Sequence, residues 1–232
     1  MSMYNFPLTE AWKQETQNKV FRLKLLVTPG LFFIYSAVTQ NIGNYIEMRN
    51  GVRLDDKLLT LLPAFDFSSP IFLLLYSSLF AIIITHINQP KTILRIIEMH
   101  FLVAVVRQVC ILLVALEPPA HMIVLRDFFL ENTVYPHNAP LTKDLFFSGH
   151  VASIWIYFLC AKRKYLKIYL AFATAVMSLM ILCMRVHYTY DVYGALFFTT
   201  IIYIAPAWIR SKYFSKESLN ANVLNRKEVF EN

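Results

Sequence analysis

The chain alternates between long apolar blocks and short polar connections, and within the blocks the polar residues follow neither helical nor strand spacing. Continuous apolar segments are typical of helices that face lipid. Each block approaches the roughly 20 residues that a helix needs to cross a hydrocarbon core. The pattern therefore predicts an all-α, polytopic membrane protein with about six transmembrane helices. The predicted spans are Leu25–Ile42, Phe67–Ile87, Ile96–Leu116, Leu145–Ala161, Ile168–Val186 and Val192–Trp208.

The same pattern divides the chain into three parts. Residues 1–24 form a polar segment, residues 25–209 contain the spans and would form one membrane catalytic domain, and residues 210–232 form a polar tail. Pro29 and Gly30 interrupt the first predicted span, because proline removes a helical hydrogen bond and glycine weakens a helix.

Composition supports a membrane protein and argues against nucleic-acid binding. Hydrophobic residues make up 57% of the chain and charged residues 16%, whereas soluble domains are about 25% charged. The net charge of +7 would suit a nucleic-acid partner, but the lysines and arginines are scattered over short connections rather than along one face. We therefore expect the membrane, and no nucleic acid, as the partner.

The distribution of lysine and arginine predicts an orientation. Alternate connections are rich in cations, while the others balance their cations with acids, which by the positive-inside rule puts both termini in the cytoplasm. His150, His187 and Asp191 then lie toward the opposite surface, facing the periplasm or exterior, or an organelle lumen. The basic connections are those around Lys19, Lys91, Lys164 and Lys212.

The segment His187-Tyr188-Thr189-Tyr190-Asp191 is the first candidate for chemistry. His187 and Asp191 are four residues apart, so on a helix they share a face. A carboxylate partner fixes the tautomer of a histidine and makes its other ring nitrogen more basic, as a nucleophile requires. The alternative is a structural ion pair at a helix end. Tyr188 is a candidate for substrate binding, or else an aromatic anchor at the membrane interface.

The segment Phe147-Ser148-Gly149-His150 begins the fourth predicted span. A helix N-terminus offers free N–H groups to a phosphate, Gly149 permits close approach of the backbone, and Ser148 caps the helix or donates to an oxygen. His150 is then placed to protonate a leaving oxygen and to activate an acceptor. A plain helix cap is the alternative.

Arg107 lies inside the third predicted span, where an arginine needs an anion. The phosphate of a bound lipid is one candidate. Pairing with Glu98 or Glu117, or snorkelling to the interface, are the alternatives.

Together, the two histidine motifs resemble those of the type 2 phosphatidic acid phosphatase superfamily. Within it, the chain is most similar to the branch of sphingomyelin synthases and plant phosphatidylcholine:diacylglycerol cholinephosphotransferases. The resemblance implies a membrane helix bundle and a phosphohistidine mechanism without a metal or other cofactor. It makes His187 the nucleophile, Asp191 its orienting partner and His150 the general acid and base. Arg107 resembles the arginine of the superfamily's first motif.

The chain departs from the lipid phosphatases of this superfamily at two motifs. Their first motif is Lys-x6-Arg-Pro, whereas here His100 and Arg107 have that spacing and Gln108 replaces the proline. Their Ser-Gly-His is preceded by proline, whereas this chain has Phe147.

A third departure concerns the phosphate-binding cations. The lipid phosphatases have Ser-Arg shortly before the nucleophilic histidine, where this chain has Met180 and Ile181, with Arg185 a possible partial substitute. Because a phosphomonoester carries nearly two charges and a diester one, fewer cations favour a diester.

Three functions follow as hypotheses. The first is a phospholipid head-group phosphotransferase with a lipid hydroxyl as acceptor, the second is a lipid phosphate phosphatase with water as acceptor, and the third is a non-catalytic membrane protein that binds or transports lipid.

Overall fold

The predicted all-helical architecture is confirmed by a computed structural model, which describes residues 7–126 and 141–205. Four of its helices are long and apolar enough to cross a membrane, and two shorter apolar helices accompany them. The helices of the described residues are α1 (Pro7–Thr16), α2 (Lys19–Met48), α3 (Lys57–Leu61), α4 (Ser68–His86), α5 (Pro90–Leu113), α6 (Gly149–Cys160), α7 (Lys164–Cys183) and α8 (Thr189–Ala205).

The first predicted span is confirmed, and Pro29 and Gly30 do not interrupt its helix. Helix α2 has 30 residues and contains Pro29 in its interior. Helices in membranes tolerate proline because neighbouring groups satisfy the freed backbone carbonyl. Tyr35 fixes α2 to α5 by donating from its hydroxyl to the carbonyl of Ala104 at 3.0 Å.

The fourth predicted span begins later than expected. Helix α6 has 12 residues and begins at Gly149, not at Leu145. The residues before it are not helical: the carbonyl of Phe147 accepts from Arg107, and Ser148 caps the first turn of α6. At 1.5 Å per residue, α6 is about 18 Å long, well short of a ~30 Å core.

Helix α6 lies at the centre of the bundle, packed against α4, α5 and α7. Ile154 of α6, Ile71 of α4 and Met177 of α7 are fully buried there. On the outside, large apolar side chains such as Phe33 and Phe172 are exposed, as a lipid-facing surface requires.

The connections gather at two ends of the bundle. We call one the basic end; it contains α1, residues 87–89 and residues 161–163, where the Lys162 amide donates to Nε2 of His86 at 3.2 Å. We call the other the histidine end; its segments 49–56 and 114–117 pair at Val52 and Leu116. The grouping agrees with the two sets of connections that the charge pattern separates. Which end faces the cytoplasm stays a prediction.

Candidate active site

The turn between α7 and α8 sets the position of His187. Helix α7 ends in a Schellman motif: the Val186 amide donates to the carbonyl of Ile181 at 3.2 Å, and the Arg185 amide to that of Leu182 at 2.9 Å. Arg185 has the left-handed φ of 57° that this motif requires. The chain thereby reverses within a few residues, and His187 lies just before the start of α8.

His187 and Asp191 form the pair that the sequence predicted. Nδ1 of His187 lies 3.2 Å from Oδ2 of Asp191, and the same oxygen accepts the Tyr188 amide at 2.8 Å. Asp191 is fully buried, and His187 is 5% exposed. With Nδ1–H donating to the carboxylate, Nε2 is left unprotonated and available for attack.

Asp56 holds the beginning of α8, a role that the sequence did not reveal. Its Oδ2 accepts the Thr189 amide at 2.6 Å, and its Oδ1 accepts the Thr189 hydroxyl at 3.1 Å. Asp56 thus caps α8 from a loop that is distant in the sequence. Thr189, the residue that it holds, comes two residues after His187. In the sequence, Asp56 was only one of several acids that balance the charge of its connection, and no local signal links it to residue 189.

Tyr188 is part of the scaffold rather than an exposed anchor. It is 1% exposed, its hydroxyl donates to the carbonyl of Glu117 at 2.9 Å, and the same hydroxyl accepts the Leu54 amide at 3.3 Å. Burial raises the pKa of this tyrosine. The neighbouring Tyr190, by contrast, is exposed, as an interface anchor requires.

The Ser-Gly-His segment is joined directly to α8. The Ser148 amide donates to the carbonyl of Asp191 at 3.1 Å, and Ser148 Oγ accepts the Val151 amide at 3.5 Å as the cap of α6. Ser148, predicted to bind phosphate, is fully buried and does not line the cavity described below. A Cβ atom on Gly149 would lie 3.5 Å from Nε of Arg107, so the glycine leaves the backbone open toward the guanidinium.

Arg107 is the cation of the site, and its partner is Asp144. Nε donates to the carbonyl of Phe147 at 2.5 Å, Nη2 donates to the carbonyl of Asp144 at 3.1 Å, and Nη1 lies 3.0 Å from Asp144 Oδ1. The two partners suggested from the sequence are engaged elsewhere, Glu98 with Lys24 and Glu117 with Lys143. Arg107 therefore bridges α5 to the segment that enters α6.

Arg107, His150 and His187 line one cavity of about 480 Å³. His150 packs edge-on against the ring of Phe72, with ring centroids 5.7 Å apart. Besides these three residues, the polar lining comprises Thr142, Asp144, Gly149 and Ser153. The apolar lining comprises Phe72, Leu75, Met122, Val124, Leu125, Leu141, Leu145 and Val186. Such a cavity matches a molecule with a polar phosphate and an apolar body.

Arg185 and Tyr188, both predicted as substrate-binding residues, do not line this cavity. They line a separate cavity of about 160 Å³ with Asp55 and Asp56, and Nη1 of Arg185 donates to the carbonyl of Ala120 at 3.3 Å. His100 also lies outside the cavity lining and has a hydrogen bond to the carbonyl of Ile96.

A network of ion pairs fixes the segment that carries Asp144. Glu47 of α2 accepts the amides of Thr142 and Lys143 at 2.6 and 2.7 Å, and Lys143 Nζ lies 2.8 Å from Glu117 Oε1. The hydrogen bond from Lys143, together with the Gly51 amide, lowers the pKa of Glu117. These contacts join three connections into one rim around the cavity.

Within residues 7–126 and 141–205, no group of three or more His, Cys, Asp or Glu side chains is arranged to hold a metal ion. Cys110, Cys160 and Cys183 are free thiols. The end of the sixth predicted span, at Trp208, lies outside the described residues.

Comparison with known proteins gives one match. No curated protein and no solved structure is similar enough to match the chain. A family model described as PAP2 superfamily C-terminal matches residues 143–207. The matched segment contains the Ser-Gly-His run, α6, α7 and all the described residues of α8, together with their connections. The match thus supports the superfamily to which the two histidine motifs point, without separating its branches.

Proposed function

We propose that the protein is a membrane-embedded phosphotransferase that moves the phosphorylated head group of a phospholipid to a lipid hydroxyl through a phosphohistidine on His187. The observation that carries the proposal is the shared cavity. It combines a carboxylate-paired histidine, a second histidine at a helix N-terminus, one arginine and an apolar wall.

In the first step, the lone pair on Nε2 of His187 attacks the phosphorus, and the P–O bond to the lipid's glycerol oxygen breaks. His150 gives its proton to that oxygen, so the neutral diacylglycerol leaves. Asp191 stabilises the positive charge that develops on the ring of His187. Arg107 and the first amides of α6 stabilise the charge on the phosphoryl oxygens.

In the second step, the acceptor hydroxyl gives its proton to His150 and attacks the phosphorus. The P–N bond breaks, and His187 regains its lone pair. If water is the acceptor, the same residues perform a hydrolysis, which is the lipid phosphatase alternative.

The charge of the cavity favours a diester substrate over a monoester. Among the described residues that line it, Arg107 is the one arginine or lysine, and Asp144 already partly neutralises it. A monoester brings nearly two negative charges, for which this lining supplies too little compensation. A zwitterionic lipid such as phosphatidylcholine or phosphatidylethanolamine brings one phosphate charge and one ammonium group.

The partners in this proposal are a phospholipid donor, a lipid hydroxyl or water as acceptor, and the membrane. The active site would open toward the periplasm, exterior or organelle lumen, with both termini in the cytoplasm.

The test uses the purified full chain in liposomes with a chelator present. Head-group-labelled phosphatidylcholine or phosphatidylethanolamine is supplied with and without diacylglycerol or ceramide, phosphatidic acid is supplied separately, and products are identified by mass spectrometry. We expect the label to move to the lipid acceptor. Replacing His187 by Ala removes the nucleophile, so we expect at least a ~10³-fold loss of rate.

His121→Ala is the matched control, because His121 is an exposed loop histidine outside the cavity lining. We expect its activity to equal that of the unmodified protein. Release of inorganic phosphate from phosphatidic acid that depends on His187 would show that the protein is a phosphatase and not a transferase. Transfer that persists in His187→Ala would refute both.

A further inference from the structure

The basic end of the bundle contains two adjoining cavities. The smaller has a volume of about 440 Å³ and the larger about 720 Å³. They share Lys91, Arg95 and Tyr203 in their linings. None of their lining residues belongs to the lining of the His187 cavity, so they form a separate site.

The smaller cavity has a positive lining. Its charged residues are Lys91, Arg95, Lys162 and Lys167, and no carboxylate belongs to the described residues that line it. Arg95 is held in place because its guanidinium lies 4.2 Å above the ring of Tyr203. Lys91 forms an ion pair with Glu15 at 2.9 Å. The other three cations leave a clear excess of positive charge around the cavity. Cations clustered around a concavity favour an anion such as a phosphate.

The larger cavity continues the site along α2 and α5 and is largely apolar. Phe21, Leu94, Phe101 and Leu102 belong to its lining. From Lys91 to Leu102 it follows α5 for about 17 Å at 1.5 Å per residue. Its two carboxylates are both paired with lysines, so they do not repel an anion in the neighbouring cavity. The pairs are Glu15 with Lys91 and Glu98 with Lys24.

A positive cavity that opens into an apolar slot matches the two parts of one molecule. We propose that the basic end binds an intact anionic phospholipid, with its phosphate among the four cations and an acyl chain along α2 and α5. Basic cavities between membrane helices bind anionic head groups in this way. A free phosphate would use the smaller cavity alone, so the apolar slot favours the lipid.

The test is native mass spectrometry of the full chain, purified in detergent and titrated with phosphatidylglycerol, phosphatidylcholine or soluble glycerophosphate. The double variant Lys162→Gln with Lys167→Gln removes two cations from the cavity. The matched control is Arg163→Gln with Lys164→Gln, which removes two exposed cations from the same connection but outside the cavity lining. Lys and Arg near a membrane surface each contribute ~1 kcal/mol, so we expect the first double variant to bind phosphatidylglycerol roughly 10- to 30-fold more weakly. We expect the control to stay within about twofold.

A third variant tests the acyl-chain slot. Leu102 is exposed in the larger cavity, and Leu102→Trp fills part of it. We expect weaker binding of phosphatidylglycerol and unchanged binding of glycerophosphate, which itself binds far more weakly than the lipid. Lipid bound in the His187 cavity is common to all variants, so differences between them report on the basic end alone.

Three results would overturn the proposal. Equal losses of binding in the two double variants would show that general surface charge, and not the cavity, binds the lipid. Equal binding of phosphatidylcholine would remove the selectivity for an anion. Displacement of phosphatidylglycerol by an equal concentration of glycerophosphate would identify a site for a soluble phosphate instead of a lipid.

Discussion

The two ends of the bundle use their positive charges in opposite ways. At the histidine end, Arg107 is paired with Asp144 and Lys143 with Glu117. At the basic end, Lys162 and Lys167 line a cavity whose described lining residues include no carboxylate. Under the two proposals, the histidine end would hold reacting groups in fixed positions, and the basic end would attract an anion.

Under the proposed function, the number of cations alone would not locate the site of phosphate transfer. Fixed geometry matters more than charge for catalysis, because preorganised dipoles and donors stabilise a transition state without rearranging. Loose cations near a surface provide binding, which changes with salt.

The largest difference between the ends is expected from exchanging arginine for lysine. Arg107→Lys keeps the charge but loses the fixed donors to Phe147 and Asp144, and we expect about a hundredfold lower kcat/KM. Arg95→Lys makes the same exchange at the basic end, and we expect less than a twofold change. Steady-state kinetics on the labelled lipid measure both, and equal effects would contradict the division between the ends.

A smaller effect is expected at Asp56, which positions His187 through Thr189. Asp56→Ala removes a helix cap worth ~1 kcal/mol and loosens the start of α8, so we expect roughly tenfold lower kcat with little change in KM. Asp56→Asn should recover only part of the activity, because both carboxylate oxygens accept hydrogen bonds from Thr189 and asparagine has one acceptor oxygen.

The control for Asp56 is Asp55→Ala, which removes the neighbouring exposed carboxylate. A loss in Asp55→Ala as large as that in Asp56→Ala would show that charge, not positioning, matters there.

Arg185→Gly tests whether Arg185, two residues before His187, binds phosphate or supports the turn. Glycine relieves a left-handed conformation that costs a non-glycine residue ~1 kcal/mol, and it loses the hydrogen bond to Ala120 of similar size. We expect the melting temperature to change by less than about 4 °C and activity to fall less than threefold. A large loss of kcat/KM with a normal melting temperature would restore Arg185 as a phosphate-binding residue.

The smallest effect is a pH dependence at the histidine end. Lys143 lowers the pKa of Glu117 in the folded protein, so the pair stabilises the fold above the ordinary glutamate pKa of 4.5. That contribution disappears as the pH falls below this value through the folded pKa. Lys143→Gln should therefore reduce the loss of thermal stability below that pH, as measured by melting curves, whereas Lys57→Gln, an exposed control at the same end, should not. Parallel curves for all three proteins would refute the pair's contribution.

Much of the fold could be read from the sequence because its signals are local. Apolar blocks of sufficient length specify helices in a membrane whatever their neighbours are. The start of the fourth span was misjudged for the opposite reason. The residues before Gly149 are not helical, and their contact with Arg107 comes from another helix.

Some contacts of the site could likewise be predicted from the sequence, and others could not. The sequence predicted the pairing of His187 with Asp191 but not its geometry: His187 lies in the turn before α8, and Asp191 in the first turn of α8 reaches back to it. The pairing of Arg107 with Asp144 and the cap that Asp56 supplies to α8 could not be predicted, because each joins segments far apart in the chain. Helix identity and the histidine chemistry are thus local properties of this chain. The charge balance of the cavity, and the direction in which Arg185 points, depend on how the connections pack at one end of the bundle.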